Sequence, residues 1–290
     1  MKKTILTLAV MLAGMLSTQA QTIPTLVLDD TNPDIVSFIN ENAEKGGNYY
    51  VTFTDRRINM DFWNVLCLPF DVKVYMVSDA FYYAAVDMLI KNSKDGNIHF
   101  EPVSDGPVNG YIPAGTPFIV KVSKDCPTNN FNGITFKGVK DRKTKKYKGV
   151  TLKKVDNPSG EPYVQTDDCG NRFVGTLQGV TVLPAGSKDY WYMSKGAWYD
   201  TSERTKDVNL KPFRAYIDFS QNTVTEAPMI IIEEPDGTTT VIDPATFNKG
   251  EFKTDGTQDD GWYSVTGMRL TQEPTAKGVY IHNARKVVIK

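Results

Sequence analysis

Apolar residues in this chain come mostly in short runs, each closed by Gly, Pro, Asn or Asp. The clearest are YYVTFT (49–54), WNVLCLPF (63–70), IHFEPV (98–103), PFIVKV (117–122), GITFKGV (133–139), RFVGTL (172–177), FRAYIDF (213–219) and MIIIEE (229–234). Runs of this length, rich in β-branched and aromatic residues, predict strands. Turn formers such as KDGN (94–97), NPSG (157–160) and DDCGN (167–171) punctuate them. One segment has helical spacing instead: in NPDIVSFINENAEKGG, Ile35, Phe38 and Ile39 fall on one stripe, Asn32 or Asp34 opens it and Gly46-Gly47 stops it. It predicts a helix lying as a lid on the sheet. SDAFYYAAVDMLIK (78–91) fits either period and is read as strand.

Many short strands at regular spacing predict a mainly β fold: an antiparallel β-sandwich with one short N-terminal helix and a small C-terminal β-hairpin unit. Residues 21–232 are enough to bury one elongated core or two small stacked ones. The second option draws on an internal echo, since YIPAGTPFIV (111–120) and VLPAGSKDYWY (182–192) share a Pro-Ala-Gly turn ahead of an aromatic strand. From 233 to 260 the chain turns rich in Thr, Asp, Gly and Pro, which is linker composition. Residues 261–290 then form a separate unit, with VYIH (279–282) turning at Asn283-Ala284 into RKVVI (285–289). A lone hairpin is marginal in water, so this pair needs WYSV (262–265), the main domain or a receptor beside it.

The N-terminus reads as an address. Lys2 and Lys3 precede an apolar stretch from Ile5 to Leu16, and Thr18-Gln19-Ala20 supplies small-residue cleavage chemistry. The stretch is well short of the ~20 residues that span a bilayer. Residues 1–20 are therefore read as a signal peptide cut between Ala20 and Gln21, with no transmembrane helix in the mature chain. Loss of the two lysines leaves 31 basic residues against 34 acidic ones, a net charge of −3 that argues against nucleic acid as a partner. The one basic cluster, KGVKDRKTKKYKG (137–149), reads chiefly as a solvated hairpin tip whose lysines guard strand edges. A patch for polyanions such as acidic glycans is the other reading.

Candidate chemistry is sparse. Cys67 has apolar neighbours on both sides and reads as a buried, inert thiol sharing a face with Trp63 and Val65. Cys126 and Cys169 lie in loop-like sequence, where a disulfide between them and two free thiols are equally supported. His99 and His282 lack companions at metal-ligand spacing, so neither a metal nor any other cofactor is expected. No nucleophile elbow and no phosphate-binding Gly motif occurs. A pair of carboxylates for glycoside hydrolysis is always available among 34 acidic residues. DYWYMSKGAWYD (189–200) reads as a hairpin about Ser194-Lys195-Gly196 whose aromatics alternate between two faces. Cross-strand packing is the first reading of it; a sugar platform that includes Trp191 or Trp198 is the second.

RRINMDFWNVLCLPFDV (56–72), YIPAGTPFIVKV (111–122) and PFRAYIDF (212–219) resemble segments that recur in secreted β-rich surface proteins of the Bacteroidetes. The resemblance spans most of residues 33–219 and carries no site with it. The C-terminus, WYSVTGMRL followed by GVYIHNARKVVIK, resembles the end of a type IX secretion sorting domain. The matching positions are Tyr263, Ser264, Gly267, Arg269 and Leu270, then Gly278, Val279, Tyr280 and Ile281, then Lys286 to Lys290. Full sorting domains carry further strands upstream. The resemblance implies export to the cell surface or beyond, with the periplasm as the fallback, and the outer-membrane secretion machinery as a partner. The combined expectation is a non-catalytic protein that binds a glycan or a host or surface protein. Its rivals are a secreted glycoside hydrolase using a carboxylate pair and a structural spacer of a surface assembly.

Overall fold

The computed structural model describes residues 22–289 except 55, 83–84, 104–109, 156–162, 225–227, 234–236, 238, 243–261, 265–268, 271–273, 276 and 283–284. The first half of the chain forms β1 (Thr25–Leu28), α1 (Ile35–Glu44), β2 (Tyr50–Phe53), β3 (Trp63–Cys67), β4 (Val72–Lys73) and α2 (Val74–Ala80). It continues with β5 (Ala85–Lys91), β6 (Ile98–Pro102), β7 (Tyr111–Ile112) and β8 (Pro117–Val122). The second half adds β9 (Val164–Thr166), β10 (Arg172–Gly175), β11 (Thr181–Leu183), β12 (Tyr190–Ser194), β13 (Ala197–Asp200), β14 (Val208–Leu210) and β15 (Ala215–Asp218). β16 (Ile230–Glu233) and β17 (Thr239–Ile242) follow, and β18 (Trp262–Ser264), β19 (Arg269–Leu270), β20 (Gly278–His282) and β21 (Arg285–Ile289) come last. The chain is mainly β.

Two sheets dominate. One has six strands in the order β17-β16-β6-β5-β8-β3, the other five in the order β13-β12-β15-β10-β9. Between them lies a core in which Val65, Phe100, Ile119 and Ile230 of the first sheet meet Phe173, Trp191, Trp198 and Ile217 of the second. Phe100 and Phe173 stand edge to face with centroids 5.1 Å apart. The other face of the β3–β8 end is covered as well. There Leu66, Phe118 and Val120 pack with α1, α2 and a phenylalanine cluster of Phe53, Phe70, Phe81, Phe131, Phe136 and Phe213. That double cover explains why every residue of β3 is buried.

The structure departs from the sequence expectation in four places. Two α-helices stand among the described residues: Met76, Val77 and Ala80 bury one side of α2, which takes the start of the strand expected over 78–91. Pairing is not purely antiparallel, since β1 runs parallel to β2 and β6 parallel to β16. The run 133–139 builds no regular strand: Phe136 exchanges hydrogen bonds with Val51, and Gly138 bridges to Gly149. Finally, the linker-like stretch 233–260 starts inside β16 and contributes the edge strand β17, whose Ile242 is buried in the shared core. β-branched Thr-Thr-Val-Ile suffices for an edge strand in spite of the polar composition around it.

The last four strands pair with one another in a sheet of their own among the described residues, in the order β19-β18-β20-β21. β20 and β21 are antiparallel with His282 opposite Arg285, and β18 pairs with β20, Trp262 opposite His282. Gly278 and Tyr280 stand in β20 and Lys286 in β21, whereas Lys290, the turn at 283–284 and residues 1–21 with Ala20 and Gln21 lie outside the described residues. Among the described residues no helix is long and apolar enough to cross a membrane.

Candidate functional site

The two indoles proposed from sequence as a sugar platform are core. Trp191 is 2% exposed and Trp198 1% exposed. The alternation of β12 decides this: Trp191 sits opposite Ile217 and turns toward the six-stranded sheet, where its ring meets Phe219 edge-on at 6.1 Å. Its Nε1 donates to the Lys188 carbonyl at 2.9 Å. The alternate set, Tyr190, Tyr192, Tyr199 and Tyr216, lies on the outer face. That face is roofed by the β11–β14 ribbon through Leu183 and Leu210, so it forms a small core of its own. Cys126 and Cys169 are free and buried in different surroundings. Cys126 packs into the phenylalanine-rich core, while the Cys169 thiol donates to the Ser93 carbonyl at 3.3 Å. Together with the free Cys67, they leave the chain without a described disulfide.

The segments that carry the family resemblance meet one another and serve the fold. The Cys67 thiol donates to the Gly115 carbonyl at 3.2 Å, and the Gly115 amide to the Leu68 carbonyl at 2.8 Å. The Arg56 guanidinium donates to the carbonyls of Val65 (2.9 Å) and Phe213 (3.3 Å) and lies over the Phe131 ring. Arg214 and Lys211 both pair with the buried Asp30 carboxylate, at 2.8 and 3.2 Å. Phe213 has φ +63°, a conformation held by its burial against Phe53. These contacts tie residues 30, 56, 65–68, 115 and 211–214 into one junction.

Near the β5–β6 turn, an open cleft of about 470 Å³ is lined by Asn92, Ser93, Lys94, Asp95, His99 and Glu233. Asp95 Oδ2 lies 3.0 Å from His99 Nε2, and Glu233 Oε1 lies 3.6 Å from Nδ1. Asp95 also accepts from the Ser93 hydroxyl and the Asn97 amide, and these bonds, with the one to His99, hold its carboxyl well below the usual range against the opposing cost of burial. Both carboxylates thus face an imidazole from opposite sides, an arrangement without the open acid–base pair that glycoside hydrolysis uses.

A smaller pocket of about 70 Å³ opens at the C-terminal end of α2. Met76, Asp79, Ala80 and Tyr82 line one side of it, and Thr135, Lys137, Gly138 and Tyr147 the other. Its second wall is the stem of the basic hairpin. Within that hairpin Lys140 bridges Tyr147, the Lys148 amide donates to the Val139 carbonyl and the Gly149 amide to the Lys137 carbonyl. Asp141 caps the tip, accepting the amides of Lys143 and Thr144 at 2.9 and 2.8 Å. The stem closes because Gly138 and Gly149 cross backbone to backbone. A Cβ on Gly138 would overlap the Gly149 carbonyl oxygen, and Gly138 has φ +75° besides. Arg142 to Lys146 at the tip are exposed, as a solvated tip requires. The stem lysines Lys137 and Lys140 are exposed as well, but each meets an aromatic ring. Lys137 Nζ lies 5.7 Å and Lys140 Nζ 5.2 Å from the centroid of the Tyr147 ring. Each such contact contributes roughly 0.5–1 kcal/mol at an exposed site.

The α2 side supplies the complementary groups. Tyr147 Oη donates to Asp79 Oδ2 at 3.2 Å. Burial, with the Asp79 carboxylate next, pushes the Tyr147 phenol up, so it stays a donor. Asp79 Oδ1 meets no donor among the described residues and remains an open acceptor beside the pocket. Tyr82 follows the last turn of α2 with φ +57° and its side chain 54% exposed. Helices commonly end on a left-handed residue, but glycine usually takes that place because a side chain there costs about 1–2 kcal/mol. Burial offsets such strain at Phe213; at Tyr82 it does not. Sequence reading missed this site because α2 was not foreseen and Lys137, Lys140 and Tyr147 were read as part of one undivided charge run. Compared with known protein families, with curated proteins and with solved structures, the chain matches none.

Proposed function

We propose that this is an exported, surface-associated protein of the Bacteroidetes type that acts by binding a glycan and not by catalysis. The observation that carries the reading is the pocket at the end of α2. There an exposed, conformationally strained Tyr82 stands beside an open carboxylate oxygen of Asp79 and the ring of Tyr147. An aromatic face covers the apolar side of a sugar ring while a carboxylate accepts from its hydroxyls, and few polar groups converging on a concave site fix a small ligand. The two large sheets are read as a β-sandwich that presents the site, and residues 261–290 as a sorting tail that delivers the protein through the outer membrane. The leader-like residues 1–20 and the resemblance of the tail support that route.

A glycan array probed with mature protein (residues 21–290) tests the binding role. Binding that is lost in Tyr82→Ala at unchanged thermal stability is the expected result. An array on which wild type and Tyr82→Ala behave alike would remove the site.

A further inference from the structure

We infer that the ligand of the α2 pocket carries an acidic substituent, a sulfate ester or a carboxylate on a sugar, which Lys137 and Lys140 receive. This rests on the glycan-binding reading of the same pocket and adds the charge of the ligand to it.

The charges of the hairpin carry the inference. Lys148 is matched within the hairpin, its Nζ lying 3.5 Å from Asp141. Lys137 and Lys140 form no ion pair among the described residues; both ammonium groups gather at one aromatic ring instead. Two ammonium groups at one ring make a local concentration of positive charge, which an anion bound beside them would match. The register of the stem places both residues beside Tyr147. The bridge of Lys140 to Tyr147 and the glycine crossing at 138 and 149 leave the two lysines no freedom to splay their backbones apart. Lys137 and Lys140 are exposed like the tip lysines, so it is their contact with the Tyr147 ring, and not burial, that sets them apart among the described residues.

Asp79, the only carboxylate lining the pocket among the described residues, is engaged at the hydroxyl end of Tyr147, whereas the lysines lie over the ring. Hydroxyl recognition and charge recognition are therefore separated along the Tyr147 side chain. A neutral sugar satisfies Asp79 and Tyr82 but leaves both ammonium groups unmatched. A purely anionic chain without hydroxyls satisfies the lysines but meets repulsion at Asp79. A sugar with hydroxyls on one edge and an acidic group on another satisfies all of them. Lysine suits this role, because a compact ammonium on a flexible stem meets a sulfate or a carboxylate as a point charge without the bidentate geometry of arginine.

Matched polymer pairs test this: dextran against dextran sulfate, and methyl-esterified pectin against polygalacturonate, titrated calorimetrically onto the mature protein. At least one acidic member is expected to bind tenfold or more tightly than its neutral partner, and which one identifies the acidic group. The Lys137→Gln/Lys140→Gln variant should erase that difference. Lys143→Gln/Lys146→Gln removes the same charge from the tip and should keep it. Equal binding of neutral and acidic members, with sensitivity to Tyr82→Ala retained, overturns the acidic ligand and leaves the glycan site standing. Equal loss in the stem and tip variants, or equal affinity for polyglutamate, shows non-specific polyanion attraction and also overturns the inference. Binding of none of the polymers, together with a silent array, removes both readings.

Discussion

Gly175 of β10 lies directly beneath the sulfur of Cys67, so close that a Cβ on Gly175 would overlap it. The thiol is fully buried, donates to the Gly115 carbonyl and is pushed up in pKa by burial alone. A side chain on one residue and a missing side chain on the other make a single packing unit between the two large sheets. Gly175→Ala is expected to cost about 1–3 kcal/mol in urea denaturation through overpacking. Cys67→Ala makes room, so the double variant should be more stable than the sum of the single losses predicts. Strict additivity would show that the two residues do not share the space. Native Cys67 should also resist alkylation unless the protein is unfolded.

The indoles give a second test. Trp191→Ala and Trp198→Ala should each lose roughly 3–5 kcal/mol of stability, the usual cost of emptying a large aromatic site. Phenylalanine separates them. Trp191 Nε1 has the Lys188 carbonyl as its acceptor, whereas Trp198 Nε1 is buried with none among the described residues. Trp198→Phe therefore removes an unsatisfied donor and should be the milder change, while Trp191→Phe orphans a carbonyl. The reverse order would mean that Trp198 gains a partner in solution.

Much of the strand pattern is legible in the chain because buried strands require dense β-branched and aromatic runs; seven of the eight named runs contain a strand of the fold. What stays hidden depends on pairing. The Pro-Ala-Gly echo is one case. Asp71 Oδ1 accepts the Ala114 amide at 3.0 Å, and Asp207 Oδ1 accepts the Ala185 amide at 2.9 Å. In each case the Asp precedes a valine paired with the residue just before the proline: Val72 with Ile112, Val208 with Leu183. In each the glycine has positive φ, +82° at Gly115 and +76° at Gly186. The same clasp is thus built twice, but its aspartate comes before the turn in one copy and after it in the other, so no linear repeat reveals it. The pocket was hidden for a related reason, since Asp79 and Tyr147 are 68 residues apart and meet only through the fold. Asp71→Ala and Asp207→Ala should each cost about 1 kcal/mol, the worth of one such hydrogen bond. A several-fold larger loss at either site, in denaturant melts of the two variants, would show that the clasps are not equivalent.

Alkaline stability should report on the tyrosine layer. Burial, then the nearby Asp218 carboxylate, pushes Tyr216 up to about 12. In the unfolded chain a tyrosine ionises near pH 10. Because the folded pKa is the higher one, the stabilising contribution is complete below about pH 10 and is lost as the pH rises from there towards 12. Urea midpoints should therefore hold up to pH 10 and fall above it. Tyr216→Phe, which has no proton to lose, should flatten that fall. An unchanged alkaline slope in Tyr216→Phe would place the titration elsewhere.

The last four strands form a sheet of their own among the described residues, with β18 beside β20 and β20 beside β21. Three or more paired strands are what a hairpin needs to persist, so the unit has the means to hold its own register. Among the described residues, deleting 261–290 removes no strand of either large sheet. The melting temperature of the rest should accordingly stay within about one or two degrees, since a 1 kcal/mol change already moves a domain of this size by roughly 2–4 °C. A collapse of stability would make the tail part of the main core. In the native host, the same deletion should leave the protein in the periplasm, read by fractionation and by protease access on intact cells. Surface display that survives the deletion would end the sorting role, whereas periplasmic retention of a fully folded protein would assign the tail to transport alone.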